Sequence, residues 1–298
     1  ISIIVAICSK VQTMEIGFSA LPTDYSMDIA TVAKRAEELG FESLWVPEHP
    51  VLPVDSKTQR PGYPPGPIPK WYADQADPFV SLARASAVTT TIKLGTGVCI
   101  VPERSPLVLA KEVATLDMFS GGRFLFGIGA GWLKEESAVM GVDFSRRWAR
   151  TREAVLAMKE LWTKTASEFH GKYYDFPPVY SFPKPAQQPH PPVLIGSRAS
   201  RVFGRVVEYG DGWFPTRVTP EDVRQGRATL NELAEKAGRD PRSISITVFA
   251  LPADSDEIRR FEDAGADRVI VPEAPWSGGG DEGESLAELE RIAKKALS

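Results

Sequence analysis

The chain displays little reactive chemistry of its own. Its only two cysteines, Cys8 and Cys99, do not form a CxxC pair, which excludes a disulfide framework and favours a reducing, cytoplasmic setting. Its three histidines, His49, His170 and His190, lie far apart without ligand spacing, so the sequence offers no metal site. No apolar run approaches the roughly 20 residues that a bilayer span needs. Neither sign of charge dominates: 35 basic against 39 acidic side chains leave a net charge of −4, with no basic face for nucleic acid. What remains is 298 residues, 43% hydrophobic and 25% charged, the composition of an ordinary globular chain.

The first thirteen residues stand apart. Ile1 to Cys8 is apolar but lacks the positive segment and small-residue cleavage site of a secretory signal. Met14 then opens Glu15-Ile16-Gly17-Phe18, which reads as a first strand. Residues 1–13 are therefore expected to be a non-native or disordered extension, and residues 14–298 a single domain. An extra edge strand is the competing reading of that run.

From Met14 onward, short apolar or β-branched runs alternate with amphipathic segments. Strand-like runs fall at about 15–20, 42–47, 93–101, 123–129, 192–196, 211–214, 244–250 and 267–272. Helix-like periodicity falls near 27–39, 78–90, 105–119, 146–165, 199–209, 219–237, 254–264 and 284–297. Boundary chemistry agrees: Pro78 and Pro106 sit at first helical positions, and Gly40, Gly210, Gly238 and Gly265 follow helix ends. Eight βα units predict an α/β fold, a (β/α)8 TIM barrel. A dinucleotide-binding fold fits less well, because the first turn, Ala20-Leu-Pro-Thr-Asp24, has no glycine.

Two insertions interrupt the units, one after strand 2 and one before strand 5. Residues 50–76 are rich in Pro and Gly and carry Tyr63, Trp71 and Tyr72; following strand 2, they are placed to form a lid or substrate wall. Residues 167–191 are again aromatic and proline-rich and should return beneath or around the barrel. Ser277 to Gly283 is glycine-rich and reads as a flexible segment after strand 8.

Barrel active sites form at the C-terminal ends of the strands. Those ends include Phe18-Ser19, Glu48-His49, Cys99-Ile100, Gly129-Ala130-Gly131 and Gly196-Ser197, a mostly apolar rim. No carboxylate pair suits glycoside hydrolysis and no strand-end lysine suits a Schiff base, so an organic cofactor is expected to supply the reactivity. His49 is the candidate catalytic group, able to exchange a proton near neutral pH. Ser197, with Gly196 and Ser200, is expected to open a helix whose free amides bind an anion; an ordinary cap serine is the alternative. Gly129, Ala130 and Gly131 would let backbone approach a bound ring or phosphate, or would simply make a tight turn.

Longer motifs then carry a resemblance. Lys93 to Pro106 (KLGTGVCIVPERSP), Ala110 to Arg123 (AKEVATLDMFSGGR), Gly127 to Glu136 (GIGAGWLKEE), Pro189 to Gly196 and Tyr209 to Trp213 together resemble the luciferase-like monooxygenase superfamily, in its branch of F420-dependent oxidoreductases, over most of the chain from Met14. The resemblance implies a barrel that binds coenzyme F420, or alternatively FMN, with the ring in the mouth and the phosphate on loops near strands 4 and 5. It implies a bulge and a non-proline cis peptide at the end of strand 3, falling by motif at Cys99-Ile100, with Cys99 acting through its backbone. His49 takes the polar position near the reactive carbon of the deazaflavin; Ser19, Gly129, Ala130 and Gly131 belong with the cofactor, and Gly196, Ser197 and Ser200 with its phosphate.

Two departures shape the reading. Ala130 stands where flavin-using relatives carry a phosphate-gripping arginine, which weakens the FMN alternative. Trp132 stands where sugar-phosphate dehydrogenases of the family carry a glutamate, and the nearby acids Glu135 and Glu136 are expected on a helix surface. The leading expectation is an F420-dependent oxidoreductase acting on a small or medium organic substrate, with an FMN-dependent monooxygenase and a non-catalytic cofactor carrier as alternatives. A homodimer through helices near strands 2 and 3 is implied by the same resemblance.

Overall fold

Strands buried on both faces must be apolar almost throughout, and the run Phe124–Gly129, buried at all six positions, meets that demand. The computed structural model describes residues 14–272 and 282–298. The strands are β1 (Glu15–Ser19), β2 (Ser43–Val46), β3 (Lys93–Thr96), β4 (Cys99–Ile100), β5 (Phe124–Gly129), β6 (Ala166–His170), β7 (Asp175–Tyr180), β8 (Val193–Ile195), β9 (Gly212–Trp213), β10 (Ser245–Phe249) and β11 (Arg268–Pro272). Hydrogen bonding runs in the order β3-β2-β1-β11-β10-β9-β8-β5-β4, and β3 also pairs with β5, so the parallel sheet closes. β3 and β4 share one barrel position. The expected (β/α)8 TIM barrel, with insertions after its second strand and before its fifth, is the fold observed.

The helices are α1 (Ile29–Leu39), α2 (Pro78–Ser86), α3 (Pro106–Phe119), α4 (Lys134–Val139), α5 (Arg147–Thr163), α6 (Val202–Tyr209), α7 (Pro220–Lys236), α8 (Ser255–Asp263) and α9 (Glu282–Ala296). Local chemistry sets their starts: Asp28 and Asp77 accept from the amides of Ala30 and Val80, and Thr219 with Asp222 forms a reciprocal capping box. The short α4 is an element that the periodicity did not reveal. Glu282 and Gly283 begin α9, whereas the remainder of the expected flexible segment and the expected extension at residues 1–13 lie outside the described residues.

The core has two layers. Between barrel and helices lies a large apolar shell that includes Phe18, Leu44, Leu82, Leu109, Phe126, Trp162 and Val269. Burying each such aliphatic or aromatic side chain contributes about 1.5–3 kcal/mol. Inside the barrel lies a smaller plug of Trp45, Leu125, Leu194, Phe214 and Ile270, with Val98 and Phe249 packed against it. Trp45 determines its neighbour: a Cβ on Gly95 would stand 2.3 Å from its ring, so only glycine fits that strand position.

The insertion before β8 contains the antiparallel hairpin β6–β7 and then passes beneath the barrel, where Gln187 donates to Asp117 at 2.6 Å and to the Phe124 carbonyl at 2.7 Å. A cavity of about 420 Å³ opens at that N-terminal end, lined by Glu15, Lys93, His190, Asp211 and Arg268 among others. In barrels this face serves stability, and here it carries paired charges. Arg268, 4% exposed, donates to Glu15 and, at 2.8 and 2.9 Å, to Glu42, which also pairs with Lys93 at 2.7 Å. No helix among the described residues is long and apolar enough to cross a membrane.

Candidate active site

At the opposite end β2 stops at Val46, and the chain crosses the mouth as Pro47-Glu48-His49. The two polar residues part company. Glu48 is drawn to the barrel wall, accepting from the Ile100 amide at 2.6 Å and from Arg104 Nε at 2.7 Å. The His49 ring lies edge-on to Tyr72 of the 50–76 insertion, with centroids 5.0 Å apart, and to Trp132 at 5.7 Å.

The carboxylate of Glu136, on α4 and fully buried, meets His49 Nδ1 with its oxygens at 2.9 and 3.1 Å. An ionised carboxylate only accepts, so Nδ1 carries the hydrogen and Nε2 is left for other work. Neutral, that nitrogen accepts a proton; protonated, it donates one. The expectation that Glu136 lies on a helix surface is thus overturned. Its neighbour Glu135 lies half-buried at the helix surface, where Oε1 accepts from the amides of Lys57 and Thr58 at 2.9 and 3.1 Å. The Thr58 side chain and those amides bring the Glu135 carboxyl down to about 2. α4 therefore holds the imidazole with one acid and fastens the insertion with the next.

The rest of the insertion is packed rather than loose. Trp71 stacks on Tyr72 at 4.0 Å, Tyr25 donates to Asp74 at 2.7 Å, and the Ala76 amide donates to the Pro22 carbonyl at 2.9 Å. Farther out, the guanidiniums of Arg60 and Arg217 lie 4.1 and 4.0 Å from the Tyr63 ring centroid. Arg198 stands beside Gly62 and donates weakly to the Arg217 carbonyl at 3.5 Å. Among the described residues none of these three guanidiniums is in an ion pair. The mouth thus combines a half-buried apolar surface, one imidazole and three available cations, a donor set that suits a planar ring with an anionic tail.

Residues 14–260 match the family described as luciferase-like monooxygenase. The chain belongs to that family. A relative from Mycobacterium tuberculosis, described only as an uncharacterised protein, is 34% identical over 95% of this chain and 98% of its own length. The F420-dependent glucose-6-phosphate dehydrogenase of Amycolatopsis mediterranei is 28% identical over 94% of this chain and 80% of its own length. The FMNH2-dependent dimethylsulfone monooxygenase of Pseudomonas putida is 32% identical over 63% of this chain and 52% of its own. Among solved structures, the monooxygenase RslO1 of Streptomyces bottropensis superimposes with a TM-score of 0.77 at 22% identity, covering 95% of this chain and 99% of its own. The coenzyme F420-dependent tetrahydromethanopterin reductase of Methanopyrus kandleri gives 0.72 at 19% identity, over 95% of this chain and 98% of its own. At those identities the two structures bear on the fold alone. F420-dependent and FMN-dependent proteins thus both stand among the relatives of this luciferase-like chain.

Several residues expected at the cofactor are placed differently within the luciferase-like frame. The non-proline cis peptide is Gly97–Val98, not Cys99–Ile100. Registers locate the bulge there too: Gly95 pairs with Leu125 and Cys99 with Ile128, four steps on one strand against three on the other. The extra residue lets Val98 face the barrel interior while Cys99 packs fully buried into the outer shell. Burial pushes the Cys99 thiol up, and the Glu48 charge adds to the effect. Ile100 is buried, with its amide committed to Glu48.

Val98 also explains two glycines. A Cβ on Gly129 would stand 2.7 Å from Val98 Cγ2, and one on Gly196 would stand 2.9 Å from Cγ1. Ala130 is buried, and Gly131 turns the chain with a φ of 77°. Ser19 is buried at the end of β1, beside Trp45 and Pro272. Ser197 does not open a helix: its Oγ accepts from the Ala199 amide at 3.2 Å in a local turn, and α6 starts only at Val202. Ser200 is exposed in that connection.

Proposed function

We propose that this protein is an F420-dependent oxidoreductase that moves a hydride between C5 of the deazaflavin and a small or medium organic substrate. The observation that carries the proposal is the His49–Glu136 pair, a buried carboxylate aligned on an imidazole whose second nitrogen has no partner among the described residues. Bound deazaflavin supplies two-electron hydride chemistry. The protein's part is proton handling and orientation. Nε2 of His49 would hold or release the proton that accompanies the hydride, and Glu136 would stabilise the imidazolium when it forms.

Val98, Tyr72 and Trp132 would hold the ring, with the backbone of Gly129, Ala130 and Gly131 at its edge and Ser19 across the mouth. The connection Gly196, Ser197 and Ser200, joined by Arg198, would take the phosphate, with Arg60 and Arg217 beyond it. Cys99 and Ile100 would act only through the strand that they form beside Val98. Ala130 in place of an arginine, and an F420-dependent relative that aligns over 94% of the chain against 63% for the FMNH2-dependent one, support F420 over FMN. Titrating the protein with F420 and separately with FMN, read by fluorescence quenching, tests this. F420 is expected to bind more tightly; tighter FMN binding overturns the proposal in favour of a flavin monooxygenase.

A further inference from the structure

Three glutamates are buried behind the mouth: Glu48 is 5% exposed, Glu103 7% and Glu136 0%. Two have strong partners. Glu48 accepts from Arg104 and the Ile100 amide, and Glu136 accepts from His49. Glu103, in the turn after β4, has much less: Oε1 accepts from Ser137 Oγ at 2.8 Å, and Oε2 is buried with no hydrogen-bond partner among the described residues. A buried carboxylate with one orphaned oxygen and no cation is the costly form, whereas a buried carboxylic acid is not.

Charge counting gives the same answer. Arg104 is the only guanidinium on these glutamates among the described residues, and it also pairs with Asp77 at 2.7 Å and Glu112 at 3.2 Å. His49 balances Glu136 at most. The groups facing Glu103 are Glu136 and Ser137 from α4, Glu48 from the end of β2 and the turn at Gly131, whose carbonyl accepts from Arg147 Nε of α5 at 3.2 Å; among the described residues no cation pairs with Glu103.

We propose that Glu103 is a positioning residue, a buried carboxylic acid whose proton sets the charge against which the His49–Glu136 pair works. While Glu103 is neutral, Glu136 is the anion that acts on the imidazole. When Glu103 gives its proton to solvent, a second negative charge behind Glu136 raises the proton affinity of His49 and favours the imidazolium. Burial first, and then the Glu136 and Glu48 charges, push the Glu103 carboxyl up to about 8, so this change falls just above neutral pH. The consequence for turnover rests on reading His49 as the proton partner of hydride transfer; the coupling itself does not.

The test is proton NMR of the three histidine Cε1–H resonances in the full chain, followed from pH 5 to 10 without cofactor. His49 is expected to show its own titration and a second inflection near pH 8. Glu103→Gln, a near-isosteric stand-in for the neutral acid, should abolish the second inflection, and Glu103→Asp should restore one. Ser137→Ala removes the hydroxyl that favours the ionised form and should move the inflection to higher pH, which keeps the idea testable if Glu103→Gln misfolds. A single inflection in the wild type, a second one that persists in Glu103→Gln, or one unmoved in Ser137→Ala overturns the proposal. With F420 and a substrate, Glu103→Gln should also remove the alkaline limb of kcat/KM; if F420 does not bind, the NMR outcome still stands alone.

Discussion

The two ends of the barrel treat charge in opposite ways. At the N-terminal end Arg268, Lys93 and Arg227 meet Glu42, Glu15 and Asp267. Burial works against ionisation of Glu42, but Arg268 and Lys93 overcome it and bring its carboxyl down to about 2. At the mouth, three buried glutamates share one arginine and one histidine, and Glu103 is driven the other way, to about 8. One end is matched and closes the fold. The other is left unbalanced, which costs stability and leaves the Glu103 carboxyl protonated up to just above neutral pH.

The sharpest way to break this contrast is at His49. His49→Ala is expected to lower kcat by about 10²–10⁴-fold, the usual worth of a general acid–base group, and to cost about 1–3 kcal/mol of stability because the buried Glu136 carboxylate loses its partner. Steady-state rates with F420 and urea melts check both halves. Glu136→Gln should cost less, about 10–100-fold, the equivalent of one hydrogen bond to a charged group. Arg268→Ala is the counterpart at the other end. It leaves the half-buried Glu15 and Glu42 with Lys93 as their remaining shared cation and should cost at most about 3–5 kcal/mol in urea unfolding, with kcat of the folded fraction unchanged.

Next in size comes pH. Glu42, held below its ordinary 4.5, contributes stability above that value, and the contribution is lost as pH falls toward about 2. Glu103, held above 4.5, does the reverse: between about 4.5 and 8 the unfolded chain releases a proton that the folded chain keeps, so stability falls as pH rises. Relative to wild type, Glu103→Gln should gain nothing at pH 4 and on the order of 3 kcal/mol at most by pH 7. Glu42→Gln should be hurt at pH 7 and nearly neutral at pH 2. Urea melts across pH give both slopes, and equal slopes would remove the contrast. Smallest is Glu135→Ala, which frees the Lys57 and Thr58 amides. A loss of about 1 kcal/mol and a rise in KM larger than the fall in kcat are expected.

Much of this was legible along the chain. Eight βα units were readable because each strand is an apolar run and each long helix keeps its period, and strand order then follows from right-handed, neighbouring connections. His49 stood out because the end of a barrel strand is where chemistry collects. Glu136 did not, since α4 has six residues, too few for periodicity to distinguish a buried face from an exposed one. The misplaced cis bond has a similar cause: residues 93–101 read as one continuous apolar strand, and only pairing with β5 shows that the extra residue falls between Gly95 and Cys99.

By itself, then, the sequence determined the barrel, the family resemblance, the aromatic insertion over the mouth and the single imidazole, because these depend on local pattern and on position within a repeating unit. Tertiary structure alone decided which carboxylates meet that imidazole. Glu48, Glu103 and Glu136 come from three separate segments, and whether each is paired, orphaned or protonated depends on burial and on charges brought together from across the chain.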